Sequence, residues 1–210
     1  KKIEGYDVSH ISGDNAVASC VVFSKSGPRK NNYRLFNIPK SLAGNDIGSL
    51  EHVIGRRLKY YDDPKIKPDL VLIDGGESQL KFVKKVIDGS KHKDLEVISI
   101  VKGANRLRAT ETIIGKAGIL ELEKYSKAFL LLQEIRDESH RFALQAQRKK
   151  KRSKITKSEL DNIKGVGKVL KERLLRKFKS VNNINKSSFE DLMTVKGINE
   201  RIAKQILNIF

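Results

Sequence analysis

Two aspartates stand where their side chains could hold a divalent metal ion. Asp7 lies at the end of a short strand predicted over Lys2–Val8, and Asp74 follows Leu70–Ile73, a fully apolar run typical of a central strand. If these strands are parallel neighbours, both carboxylates emerge at one edge of the sheet, where a cation relieves their repulsion. Oxygen ligands suit Mg²⁺ or Mn²⁺. The alternative is that each aspartate only ends a strand at a turn.

His140 is the third residue that could belong to such a site. A long helix is predicted from about Ser126 to Gln147, with Leu131, Ile135 and Phe142 on its apolar face. His140 is about one position off that face, so its side chain could reach the sheet edge as a metal ligand or a general base. A surface or half-buried histidine is the alternative.

Two glycine turns in the last third of the chain form a second kind of candidate site. Gly165-Val166-Gly167, between Lys164 and Lys168, precedes a helix, and its N–H groups could bind a phosphate oxygen. A related unit, Lys196-Gly197-Ile198-Asn199, follows 32 residues later. Both units have a helix–hairpin–helix pattern, which predicts a duplicated module that binds the nucleic-acid backbone without a sequence code.

The charge balance favours a polyanionic partner. The 210 residues have a formal net charge of +18, of which +12 lies in residues 148–210. The 6% aromatic content argues against a carbohydrate binder and against a base-stacking platform. A single cysteine, Cys20, excludes a disulfide framework and fits a reducing cytosol, and no apolar run is long enough to cross a membrane. The alternative to a polyanionic partner is that the protein is merely basic because it comes from an A/T-rich genome.

The elements that must position these residues alternate between strands and helices. Three strands joined by short turns, one of them Ser12–Asp14, predict an antiparallel meander, and a strand–helix–strand unit predicts parallel pairing with a right-handed crossover. The predicted strands are Lys2–Val8, Asn15–Phe23, Asn32–Asn37, Leu70–Ile73 and Leu95–Val101, with a small hairpin over Ile113–Leu122, and the predicted helices before the long one are Asp46–Tyr61 and Ser78–Ile87.

A basic run, Arg148–Lys154, interrupts this pattern and predicts a domain boundary. It could extend the preceding helix or act as a flexible tether. The predicted organisation is therefore a domain over residues 1–147, a linker over 148–154 and a tandem helix–hairpin–helix domain over 155–210.

Four ordered motifs, with the tandem hairpins, resemble the C-terminal half of UvrC, the nuclease subunit of the bacterial UvrABC excision-repair system. The motifs are Tyr6–His10, Val17–Phe23, Pro68–Gly76 and Ile135–Ala143. The resemblance covers the whole chain. It implies a bacterial cytoplasmic protein with an α/β fold, an RNase H-like mixed sheet with flanking helices, followed by a small all-α tandem helix–hairpin–helix domain.

The resemblance also implies a divalent-metal-dependent endonuclease that makes the incision 5′ to a lesion. The family's Asp–Asp–His set falls on Asp7, Asp74 and His140. A further acidic position falls on Asp46, as a supporting residue or helix N-cap, although Asn45 replaces the acid before it.

The implied partners are damaged double-stranded DNA, held at a junction of paired and unpaired strands, and UvrB, recruited through a region upstream of this chain. The family's nuclease for the 3′ cut also lies upstream. Lys102 or Arg106 could offset the phosphate charge during cleavage.

Three departures from the family pattern keep other functions open. Glu77 replaces a lysine beside Asp74, Phe129 stands where a histidine is common, and Asn199 replaces the second glycine of the second hairpin. Together with Asn45, the Glu77 and Asn199 departures motivate the main rival, a DNA-docking scaffold with a decayed nuclease centre. An RNase H-like transposase or RNase fits less well, because such enzymes use carboxylates where His140 stands.

Overall fold

The computed structural model describes residues 1–9, 16–101, 111–161 and 163–209. The chain divides into two compact units, residues 1–147 and 148–210. Within the described ranges, no helix has the length and apolar character needed to cross a membrane.

The first unit is built on one mixed sheet. Its eight strands are β1 (Lys2–Ser9), β2 (Val17–Ser24), β3 (Gly27–Pro28), β4 (Arg34–Asn37), β5 (Leu70–Asp74), β6 (Glu96–Val101), β7 (Thr112–Gly115) and β8 (Gly118–Leu120). They follow the order β3-β2-β1-β5-β6-β7-β8, and β4 also pairs with β2. The small hairpin predicted around Gly115 and Gly118 is confirmed as β7 and β8.

Strand β1 has an antiparallel partner on one side and a parallel partner on the other. It pairs with β2 along its full length, and with β5 so that Tyr6 lies opposite Ile73. β6 continues the parallel pairing beyond β5. The predicted meander and the predicted strand–helix–strand unit are both confirmed. Because β1 and β5 are parallel neighbours, their carboxyl ends lie at the same edge of the sheet.

Helices cover both faces of this sheet. The helices are α1 (Asp46–Leu58), α2 (Glu77–Asp88), which packs against α1, and α3 (Lys127–Asp161). Arg57 of α1 bonds to Glu4, whereas a Cβ atom added to Gly5 would collide with Ile135 of α3. Since successive strand side chains point to opposite faces, α1 and α3 lie on opposite sides of β1.

The buried face of α3 differs from the prediction. Ile135 is fully buried and Phe142 packs, partly buried, against the core, as predicted, but Leu131 is exposed, so its place on this face was wrong. The buried face also includes Ser139 and Ala143. These small side chains let the helix lie close to the sheet, and a search for large apolar residues passes over them.

The third strand is shorter than predicted, and the basic run is helical. The third strand begins at Arg34 rather than Asn32, because a 3-10 turn over Lys30–Asn32 occupies its predicted start. Residues 148–154 are helical within α3, so the backbone there follows the helix-extension alternative. The predicted turn at Ser12–Asp14 lies outside the described residues.

The second unit repeats its core at a spacing of 32 residues. After the end of α3 come α4 (Lys168–Phe178), α5 (Val181–Asn185), α6 (Phe189–Met193) and α7 (Glu200–Ile209). The equivalent buried pairs are Leu160 and Leu192, Ile163 and Val195, Val166 and Ile198, Leu170 and Ile202, and Leu174 and Ile206. The predicted duplication is therefore present in the packing, and each copy needs the other to bury its apolar face.

A buried charge network fastens α1 to the centre of the sheet. Glu4 is fully buried, and its carboxylate accepts hydrogen bonds from Tyr6 (2.6 Å), Tyr61 (2.6 Å) and Arg57 (2.6 and 3.2 Å). Burial raises the pKa of Tyr6 well above its usual value, and the nearby Cys20 and Glu4 act in the same direction. The hydroxyl groups therefore stay protonated and donate hydrogen bonds to Glu4. The negative charge of the Glu4 carboxylate is balanced by the positive charge of the Arg57 guanidinium, away from water.

Replacing Glu4 with Leu should destabilise the first unit by about 3–5 kcal/mol, because it leaves Arg57 buried without its counter-charge. Urea unfolding measures the change. The double variant Glu4→Leu/Arg57→Met is the control, and it should recover much of the loss since neither charge remains. A loss below about 1 kcal/mol in the single variant, as for an exposed pair, would contradict the assigned role.

Candidate metal centre and nucleic-acid interface

The parallel pairing of β1 and β5 brings Asp7 and Asp74 together at one sheet edge. Tyr6 and Ile73 are the last paired residues of the two strands, and each aspartate comes next in the chain. Asp7 is 6% exposed and Asp74 is partly buried. Two carboxylates in this position repel each other when both are ionised, and a cation between them removes that cost.

The third member of the cluster, His140, comes from a helix rather than from the sheet. It lies on α3 at the level of Asp7, and its Nδ1 is 3.3 Å from Asp7 Oδ2. The His140 side chain is 45% exposed, so it remains accessible from water. Each of the three residues offers one ligand atom, and these atoms all lie within 4.8 Å of one another. The sequence prediction that Asp7, Asp74 and His140 could meet thus agrees with the geometry.

The donor set of this cluster fits a small divalent cation. Carboxylate oxygens are the preferred ligands of Mg²⁺ and Mn²⁺, and imidazole nitrogen is a ligand that transition metals such as Mn²⁺ accept. Oxygen from Asp7 and Asp74 with nitrogen from His140 would leave further coordination positions for water or a phosphate.

Asp46 lies in the first turn of α1 and is not the N-cap. The N-cap is Asn45, whose side chain accepts a hydrogen bond from the Gly48 N–H at 2.9 Å, so the N-cap alternative for Asp46 was wrong. Asp46 lines a cleft of about 550 Å³ with residues at the start of α2, including Gly76 and Gln79. Among the described residues, the three-ligand cluster does not include it.

Glu77 and Phe129, two of the departures from the family pattern, make contacts away from the three-residue cluster. Glu77 begins α2 and pairs with Lys81 at 2.9 Å, with both side chains mostly exposed. Phe129 is 3% exposed and belongs to the hydrophobic core. Lys102 and Arg106, the predicted partners of the phosphate charge, lie outside the described residues.

The first hairpin has the backbone geometry that a phosphate site requires. Gly165 has φ +101°, which a side chain would strain, and Gly167 is the N-cap of α4 without a capping side chain. The first N–H groups of α4 therefore point towards solvent, between Lys164 and Lys168, where an anion is favoured.

The second hairpin has the same backbone turn as the first but a different net charge. Gly197 has φ +100°, so the left-handed residue of this turn is Gly197 and not Asn199. Asn199 Oδ1 instead accepts a hydrogen bond from the Ile202 N–H at 2.9 Å, which caps α7. The five residues 196–200 have no net charge, because Glu200 offsets Lys196, whereas residues 164–168 carry +2.

Sequence reasoning missed several polar residues that hold the cluster in place. Ser9 donates to Asp7, Gln147 donates to the Ser9 carbonyl, and Ser19 donates to the Ser139 carbonyl beside His140. The period-two spacing of Ser9 from Asp7 and the seven-residue spacing of Gln147 from His140 were the available signals.

A buried ion pair fixes α3 one turn before His140. Arg136 Nη1 lies 2.8 Å from Glu111 Oε1. Burial by itself would raise the pKa of Glu111, but hydrogen bonds from Arg136 and Gln133 hold it below its usual value. No periodicity along the chain indicates that these two residues, which are 25 positions apart, form a pair.

These features together define a class of protein. A mixed RNase H-like sheet carries an Asp–Asp–His cluster at its edge, and a duplicated helix–hairpin–helix unit follows. Residues 1–144 match the model of the UvrC RNAse H endonuclease domain, and residues 157–209 match that of the SAM-like helix-hairpin-helix tandem. The chain belongs to the UvrC family, which confirms the resemblance and the fold class drawn from the sequence.

Curated relatives agree with this assignment. The UvrABC system protein C of Legionella pneumophila (strain Lens) is 38% identical over 212 residues, covering 100% of this chain and 34% of the relative. That of Hahella chejuensis (strain KCTC 2396) is 40% identical over 213 residues, covering 100% and 35%. The chain thus spans about a third of the length of these relatives. The solved catalytic domain of human Endonuclease V aligns with a TM-score of 0.41 and 17% identity, covering 71% of this chain and 83% of that one.

The cap at the second hairpin can be tested by two substitutions. Asn199→Ala should lower the stability of the second unit by about 1 kcal/mol, and Asn199→Gly by only a few tenths, since glycine is tolerated at an N-cap. Thermal unfolding of both variants measures the difference. Equal stability of the alanine variant and the wild type would show that the Asn199–Ile202 bond is not a cap.

Proposed function

We propose that this chain carries the metal-dependent endonuclease centre that cuts damaged DNA on the 5′ side of a lesion during bacterial nucleotide excision repair. The observation that carries the proposal is the meeting of Asp7, Asp74 and His140 at the carboxyl edge of the sheet. Membership of the UvrC family supplies the reaction class and DNA as the substrate class.

Asp7 and Asp74 would hold Mg²⁺ or Mn²⁺, with His140 as a third ligand or as the group that accepts a proton from water. When bound, the ion would polarise the phosphodiester and lower the pKa of a bound water. The protein residues supply two aligned carboxylate oxygens and an imidazole whose exposed side water can reach. Both roles of His140 stay open, because its Nδ1 faces Asp7 and the ring has a second nitrogen.

The first hairpin would bind the DNA backbone, at a junction of paired and unpaired strands. Its support is the pair of lysines around uncapped helix N–H groups, which suits a phosphate and carries no base specificity. UvrB would be the protein partner, recruited through the part of the protein that precedes this chain. Asn45 and Asn199 cap α1 and α7, so two of the departures behind the decayed-scaffold alternative have structural roles, whereas Asp7, Asp74 and His140 are all retained.

The nuclease proposal predicts metal-dependent nicking of a bubble-containing duplex. With Mn²⁺ or Mg²⁺ present, Asp74→Asn should lower the nicking rate by at least about 100-fold, since removing a ligand should cost more than removing a residue that supports one. Glu77→Gln is the matched control, an acidic residue close in sequence but paired with Lys81, and it should retain wild-type activity. Equal nicking by the wild type and Asp74→Asn would place the activity elsewhere.

The hairpin proposal predicts unequal salt dependence of DNA binding. Lys164→Ala/Lys168→Ala should reduce the slope of log K against log salt concentration by about 1.8, because two phosphate contacts are lost. Lys196→Ala/Lys204→Ala, which removes two lysines from the second copy, should leave the slope nearly unchanged. Fluorescence anisotropy across a salt series measures both. Equal slopes for the two double variants would mean that the copies contribute alike.

A further inference from the structure

The Asp7 carboxylate is held by a neighbouring hydroxyl group. Ser9 Oγ donates a hydrogen bond to Asp7 Oδ2 at 2.6 Å, a length typical of a hydroxyl bonded to an ionised carboxylate. Ser9 is two positions after Asp7 on β1, so both side chains point to the face that α3 covers. Ser9 is 8% exposed, which shields the bond from water.

Ser9 is itself fixed to α3. Its carbonyl accepts a hydrogen bond from Gln147 Nε2 at 2.9 Å, and Gln147 is 4% exposed. Gln147 lies seven residues, or two helical turns, after His140 and therefore on the same face of the helix. The Gln147–Ser9 bond and the His140–Asp7 contact thus join the same strand to the same helix at two levels.

From these contacts we infer that Ser9 is a positioning residue of the candidate metal centre, with Gln147 as its support. The Ser9 hydroxyl and the His140 ring both approach Oδ2 of Asp7, at 2.6 and 3.3 Å. Rotation of the carboxylate would break these contacts, so they hold it in one orientation beside Asp74 and His140. This assignment rests on the proposed function, because it concerns the same site.

A purely structural role for Ser9 makes a different prediction. A buried serine that only satisfies its own hydroxyl contributes to stability, and its loss changes the unfolding free energy without a specific effect on metal affinity. If the hydroxyl orients a metal ligand, its removal lowers metal affinity, typically by about 10–100-fold. Metal affinity, measured beside stability, therefore separates the two roles.

The experiment uses Mn²⁺ binding to the full 210-residue chain, followed by calorimetry and by the electron paramagnetic resonance of free Mn²⁺. We expect Ser9→Ala to weaken Mn²⁺ binding by about 10-fold or more, and Ser9→Thr, which keeps the hydroxyl, to stay within about 3-fold of wild type. Gln147→Met, which removes the donor at similar length, should weaken binding by a smaller factor. Urea unfolding without metal accompanies each variant.

Ser99→Ala is the matched control. Ser99 is also a fully buried strand serine, it lies on β6, and its hydroxyl has no hydrogen-bond partner among the described residues. Its removal should leave Mn²⁺ affinity unchanged. Asp74→Asn is the second control and should abolish binding at this site.

The outcomes separate this inference from the proposed function. Wild-type affinity in Ser9→Ala, or equal losses in Ser9→Ala and Ser9→Thr, would overturn the role of Ser9 while the metal centre stands, provided that Asp74→Asn loses Mn²⁺. If Asp74→Asn binds Mn²⁺ as the wild type does, the centre itself is wrong, and the role of Ser9 is overturned with it.

Discussion

The parallel hydrogen bonding between β1 and β5 is the constraint on which the candidate centre depends. Parallel neighbours present their carboxyl ends at one edge, so Asp7 and Asp74 meet although 66 residues separate them in the chain. The antiparallel pairing of β1 with β2 then fixes β1 from its other side. The sheet therefore holds two like charges close together, and the stability of the surrounding ladder, not any attraction between them, keeps them there.

The close approach of α3 to the sheet supplies the third member of the cluster. Gly5 has no side chain, and Ile135 occupies the space that a Cβ atom would take. Ser19 bonds to the Ser139 carbonyl at 2.8 Å, and the next residue along the helix is His140. Close backbone contact and polar bonds thus fix the distance of α3 from the sheet and its rotation about its own axis. Loose packing of larger side chains would leave both undetermined.

The sequence predicted the elements because they depend on periodicity, and it offered Asp7, Asp74 and His140 as candidates that the resemblance to the UvrC family then selected. Strand alternation and the ends of apolar runs locate Asp7 and Asp74 without knowledge of side-chain conformation. Spacing places Ser9 on the face of Asp7 and Gln147 on the face of His140, but their hydrogen bonds also depend on rotamers and on the height of α3 above the sheet, which spacing does not encode. Leu131 was assigned to the wrong face for a related reason, because the true buried face includes Leu132 and the small Ser139, and a search for large apolar residues does not register the serine.

The two hairpins share a backbone but differ in electrostatic character. Their glycines have nearly identical φ angles, and their buried residues recur at the 32-residue repeat, yet only the 164–168 turn has a net positive charge. On the proposal that the 164–168 turn binds phosphate, a polyanion would be attached mainly at one of two equivalent turns. A rod attached at one point keeps its rotational freedom, so the duplicated fold would act as a pivot rather than a clamp, and a bent duplex could turn about it without breaking the attachment.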